Sequence, residues 1–310
     1  MKRIIASVAV ILLAFASASA QDLGQVTELF NSGATALSEN NKTAALQSFE
    51  QALSQAEALG EEGSEIVGKC HEIIPSIHLS LAKDLAKVSD FDGAVAKLKA
   101  TIEIAKKFSA ADVELEAAEL IPQLITSKAN NLLNAKNYAA AAAAYQQVLD
   151  ITPTDGAAAL RMGVALSGVG DLAAAKAAFE KAMANGQEAT AKKQLSTLCL
   201  KEAAAALKAK KFADAVSSAV QANDYSANAQ ALQIAAQASQ YLNKTADAIK
   251  YFEQYLVMAP TAKNAGQIAY TVGALYQQSK NIAKAKEFYT LALTDPKFGP
   301  EAKKLLDALK

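Results

Sequence analysis

The stretch AAALRMGVALSGVGDLAAAKAAFEKAM, residues 157–183, decides the fold. Ala157 to Leu166 carries apolar residues at helical spacing, Ser167-Gly168-Val169-Gly170-Asp171 interrupts the pattern, and Leu172 to Met183 resumes it. Such a break predicts two helices joined by a short turn, with Asp171 as N-cap of the second. Within the pair, Gly163 stands twelve residues before Ala175, and Phe179 stands four after it.

The same triplet recurs seven times. The alanines are Ala45, Ala94, Ala141, Ala175, Ala215, Ala248 and Ala285, spaced 49, 47, 34, 40, 33 and 37 apart. Twelve residues before them stand Gly33, Ala82, Ala129, Gly163, Ala203, Ala236 and Gly273. Four residues after stand Phe49, Leu98, Tyr145, Phe179, Ala219, Phe252 and Tyr289, of which only Ala219 is not bulky. Helices that cross approach within about 8–10 Å, which small residues permit and an adjacent ring fills. A recurring unit of this kind predicts a solenoid, each unit burying its apolar face against the next. Comparable turns are expected at Glu39-Asn40-Asn41, Ser89-Asp90, Lys136-Asn137, Asn243-Lys244 and Ser279-Lys280-Asn281. Pro153, Pro260 and Pro296 follow second helices, where a helix must stop.

These residues resemble the tetratricopeptide repeat family over essentially all of residues 22 to 298. The likeness is carried by the small residue of the first helix, the alanine–aromatic pair of the second, the downstream proline and a period near 34. It implies an all-α, right-handed superhelical solenoid of about seven antiparallel helix pairs with a C-terminal capping helix. The chain departs from the family in lacking the tryptophan that often opens a repeat and in its two long early units. The extra length is expected in first helices over Ser64 to Val88 and Ala111 to Ala135, where Ile74-Pro75-Ser76-Ile77 and Ile121-Pro122-Gln123-Leu124 recur 47 residues apart. Each proline is expected to bend its helix or mark a break in it. Residues 21–152 would hold the longer units, 153–298 the more regular ones, and 299–310 the cap.

Residues 1–20 read as a cleaved signal peptide. Lys2 and Arg3 precede an apolar run from Ile4 to Phe15, and Ala18-Ser19-Ala20 offers a small-residue cleavage site before Gln21. The run is too short to anchor in a bilayer, which takes about twenty residues, so no integral membrane segment is expected after cleavage. The expected location is the periplasm, or outside the cell. Without the leader the chain holds 29 basic and 31 acidic residues, a net of −2, and nothing in that balance suggests nucleic-acid binding. Cys70 and Cys199, far apart in an array whose units touch only neighbours, are expected to be small buried hydrophobes rather than a disulfide.

Little in the chain points to catalysis. His71 and His78 are the only histidines, seven apart with Pro75 between them, and lack the i, i+4 spacing of helical zinc sites. Gly163, Gly168 and Gly170 are not followed by the Lys-Ser/Thr of a phosphate-binding loop. No enzyme activity, metal or cofactor is expected. The resemblance implies instead a protein or peptide partner held on the concave face of the first helices. That face would carry Gln230, Gln233, Gln237, Gln240 and Tyr241 in the sixth unit, and Gln267, Tyr270, Gln277 and Gln278 in the seventh. The third would add Gln123, Thr126, Asn130 and Asn134, with Leu160, Val164, Leu200, Ala204 and Leu207 between. Amides can donate to and accept from an extended backbone without carrying charge. Some family members clamp a C-terminal carboxylate on this face; Asn130 matches the clamp asparagine, but Thr126 replaces the lysine, so that mode is not expected here. The chain therefore reads as a non-catalytic interaction scaffold of the cell envelope, with carbohydrate or cell-wall binding as the rival. Sugars would call for more stacking aromatics than Tyr241 and Tyr270.

Overall fold

Every described second helix starts three residues before its repeat alanine, because the turn that leads into it is built the same way each time. The computed structural model describes residues 18–309, with side chains from Asp22 onward. Most of the expected leader lies outside the described residues; the first described helix begins at Ala18. The chain divides into two compact units, Met1–Thr154 and Asp155–Lys310.

In the first unit the pairs are α1 (Ala18–Ser38) with α2 (Lys42–Ala58), α3 (Ser64–Lys87) with α4 (Phe91–Lys107), and α5 (Ala111–Asn134) with α6 (Tyr138–Ile151). In the second they are α7 (Gly156–Val169) with α8 (Leu172–Ala184), α9 (Glu188–Lys208) with α10 (Phe212–Tyr225), α11 (Ala229–Tyr241) with α12 (Thr245–Met258), and α13 (Ala265–Gln278) with α14 (Ile282–Ala292). Helix α15 (Gly299–Ala308) packs on α14, with Leu305, Leu306 and Leu309 against Ala285 and Tyr289. No strand occurs among the described residues: the protein is all-α, an array of antiparallel helix pairs.

Each turn inside a pair has one left-handed residue, always five before the repeat alanine: Asn40, Ser89, Lys136, Gly170, Lys210, Asn243 and Lys280. The N–H of the next residue returns to a carbonyl five positions upstream, as in Asn41 to Ala36, Asp171 to Leu166 and Lys211 to Ala206. This is the Schellman closure that satisfies the end of one helix and reverses the chain. The following helix is then capped by Asn41, Asp90, Asp171 or Asn281, whose side chains accept from the third residue on. The turn at Lys210-Lys211 had no glycine or asparagine to signal it, and only the backbone reveals it.

All seven repeat alanines are fully buried, and so are Phe49, Leu98, Tyr145 and Tyr289. The ring lies on the small residue sixteen positions earlier. A Cβ added to Gly163 would sit 2.5 Å from the Phe179 ring, and one on Gly273 would sit 2.6 Å from Tyr289. Glycine there admits a ring flat against the backbone; in the fifth pair Ala203 faces Ala219, both fully buried, and small side chains on both helices serve instead.

The long helices α3 and α5 run unbroken through Pro75 and Pro122. A mid-helix proline forfeits one backbone bond at roughly 3 kcal/mol. Burial of Ile73, Ile74 and Ile77, each at most 3 % exposed, offsets that cost around Pro75. Cys70 and Cys199 are both buried free thiols, in different units; burial pushes Cys70 up to about 12.

Candidate partner-binding face

In each unit one pair of first helices packs together, α3 on α5 and α9 on α11. The side of each first helix that points away from its partner follows from the small residue. On α11, Ala231, Leu232, Ile234, Ala235, Ala236 and Ala238 are buried, which leaves Gln230, Gln233, Gln237, Gln240 and Tyr241 on the open side. On α13, burial of Ile268, Ala269, Val272 and Gly273 leaves Gln267, Tyr270, Gln277 and Gln278. Asn130 and Asn134 belong to α5 and thus to the first unit. The intervening Val164 and Ala204 are exposed, and Leu160, Leu200 and Leu207 half-buried.

The sequence-predicted residues divide by what their side chains already do. Asn130 Oδ1 accepts the Tyr145 hydroxyl at 2.6 Å, and Gln277 Oε1 accepts the Tyr289 hydroxyl at 2.7 Å. Both ring residues thereby satisfy a hydroxyl that their buried position requires. Tyr270 is wedged between Tyr289 and Phe298, at 5.7 and 5.4 Å between ring centroids, and so joins the seventh pair to the cap. These three act in packing. Tyr241, 66 % exposed, lies flat on Phe212 at 4.5 Å. Gln230, Gln233, Gln237, Gln240, Gln267, Gln278 and Asn134 make no side-chain hydrogen bond to the described residues, which leaves two donors and an acceptor on each amide for another molecule.

Two hollows in the second unit lie elsewhere. One of about 320 Å³ is walled by Pro260, Ala262, Gly266, Leu291, Asp295 and Pro296, between the loops that flank α13 and α14. The other, of about 550 Å³, lies over second helices and is bordered by Asn223, Leu232, Lys250, Glu253, Val257 and Met258. Val257 is 83 % exposed. It falls out of phase with buried Phe252 and Tyr255, a signal present in the sequence that the first-helix reading passed over.

The histidines are separated by their surroundings. His71 stacks on Phe108 at 4.4 Å. His78 is buried with neither ring nitrogen hydrogen-bonded, and Glu50 Oε1 is 3.9 Å from Nε2. Burial, reinforced by the Lys97 charge, lowers His78 to about 4. Among the described residues no group of three or more His, Cys, Asp or Glu could hold a metal ion. None of the described helices is long and apolar enough to cross a membrane.

Helix pairs closed by a left-handed turn, with a ring on a small residue, define a helical-repeat protein. The tetratricopeptide repeat family model matches residues 266–294, within α13 and α14 and the loop after them, and the other six pairs repeat the turn and the buried alanine of that pair. No curated protein matches the chain. Among solved structures, a MamA protein is 15% identical, with 58% of this chain and 94% of that one covered at a TM-score of 0.37. YrrB, described as a TPR protein with an unusual peptide-binding site, is 20% identical over 58% of this chain and 91% of its own, at 0.34. PilF of Pseudomonas aeruginosa is 17% identical over 62% and 84%, at 0.29.

Proposed function

We propose that this protein is a non-catalytic scaffold of the cell envelope that holds an extended protein or peptide segment on the open face of α11 and α13. The observation that carries the reading is the row of Gln230, Gln233 and Gln237, three amides on one face of a rigid helix whose opposite face is buried. Such a row can bond an extended backbone from a fixed frame, with the half-buried leucines of α9 as an apolar neighbour. Affinity from amide contacts depends weakly on salt, because no ion pair is screened. The leader-like residues 1–20 support placement in the envelope.

The test is capture from the native envelope with the mature chain and with a Gln230→Ala, Gln233→Ala, Gln237→Ala variant. Tyr270 is left intact because its ring is packed between Tyr289 and Phe298. Loss of a crosslinked partner at unchanged melting temperature supports the face. Equal capture by both proteins refutes it, and intact-mass measurement that finds residues 1–20 retained refutes the envelope placement.

A further inference from the structure

The two units carry opposite charge. Residues 22–154 hold 18 acidic and 10 basic side chains, a net of −8, whereas residues 155–310 hold 13 acidic and 19 basic, a net of +6. Whatever the pairing within each unit, eight carboxylates of the first and six cations of the second have no counter-charge in their own unit. The sum over the two is close to zero, so two copies do not repel as wholes, and near-zero net charge itself favours association.

Part of each excess stands at the turns between helices. In the second unit the turns inside the pairs carry Lys208, Lys210, Lys211, Lys244 and Lys280, all exposed and in no ion pair among the described residues. The shared register puts these turns on one edge of that unit, because each lies at the same offset from a buried repeat alanine. In the first unit, carboxylates of the excess stand at the opposite kind of turn, between pairs, above all at the connection from α2 to α3. Glu57, Glu61 and Glu62 surround the connection from α2 to α3, and Asp112 opens α5 after the next such connection; all four are exposed and in no ion pair among the described residues. The ion pairs present there, Lys69 with Glu65 and Lys83 with Glu116, consume other carboxylates.

We propose that the protein associates with a second copy of itself, the lysine edge of residues 155–310 in one copy docking on the carboxylate edge around Glu57, Glu61 and Glu62 in the other. The chain itself supplies a surface of matching, opposite charge, which is the argument for this occupant over any other polyanion. The two surfaces are different patches, so the contact is head-to-tail and leaves a free lysine edge at one end and a free carboxylate edge at the other. Assembly therefore continues past a dimer as concentration rises. Because the attraction is between exposed charges, salt weakens it.

Sedimentation velocity of the mature chain tests this across concentration at ~25 and ~250 mM salt, with at least a tenfold weaker association expected at the higher salt. Two reversed variants accompany it: Lys208→Glu, Lys211→Glu, Lys244→Glu, and Glu57→Lys, Glu61→Lys, Glu62→Lys. All these positions are exposed, and melting curves check that each variant folds. Each variant alone is expected to be monomeric, and an equimolar mixture of the two to associate again. A wild-type chain that stays monomeric at low salt overturns the proposal, as does a mixture that fails to associate. A monomer that merely contracts at low salt places the contact within one chain and overturns it too. Binding of monomeric chain to phosphatidylglycerol vesicles, lost in the lysine variant and kept in the glutamate variant, assigns the lysine edge to a lipid surface and likewise overturns it.

Discussion

Three lysines occupy backbone that lysine adopts reluctantly. Lys136, Lys210 and Lys280 have φ of 59, 59 and 61°, and all three side chains are exposed. The left-handed conformation costs a residue with a Cβ roughly 1–2 kcal/mol. Glycine removes that cost, and gives back about 0.4–1 kcal/mol by loosening the unfolded chain. Lys→Gly at any one of these turns is thus expected to stabilise by about 0.5–1 kcal/mol, since no buried contact is lost. Asn40→Gly and Asn243→Gly gain less, because asparagine tolerates this region. The reverse change, Gly170→Lys at φ 93°, costs a similar amount. In a unit of about 150 residues, 1 kcal/mol moves the melting temperature by roughly 2–4 °C. Scanning calorimetry of the single variants and of Lys210→Gly with Lys280→Gly reads this directly, with the two transitions fitted separately because long repeat arrays can lose two-state behaviour. If the lysine variants melt at or below wild type while Gly170→Lys is neutral, the shared turn geometry does not set stability here.

Gly163→Leu drives a side chain into the Phe179 ring and is expected to destabilise by about 1–3 kcal/mol, measured by urea unfolding; a neutral result breaks the ring-on-glycine assignment. His78 has a folded pKa of about 4, below its ordinary 6.5, so the neutral form is the one the fold favours. Its contribution is present above about pH 6.5 and is lost as pH falls through about 4, a drop on the order of 3 kcal/mol. His78→Leu flattens that part of the stability–pH profile of the first unit, and a profile identical to wild type counts against it.

The candidate face shows where reading the chain reaches and where it stops. Ala236 and Gly273 mark the phase of α11 and α13, and the family resemblance, which implies a binding face on the first helices, names the side bearing Gln230, Gln233 and Gln237. Spacing does not say what stands opposite. Asn130, Tyr270 and Gln277 sit at the same kind of position, yet Tyr145, Tyr289 and Phe298 claim them from other helices. Val257 lies on a second helix, where apolar residues are expected in the core, yet its phase sets it outside.

The all-α class, the seven pairs and the buried alanines are properties of sequence, because each rests on residues twelve, four or five positions apart that one helix pair brings together by itself. The unbroken passage of α3 and α5 through proline is a tertiary outcome, since packing around Pro75 outweighs the local loss of a bond. So are the turn at Lys210 and the solitude of His78. In the first, backbone closure prevails over a residue that disfavours it; in the second, neighbouring helices cover a ring without giving it a hydrogen bond, and no pattern within one helix encodes what its neighbours withhold.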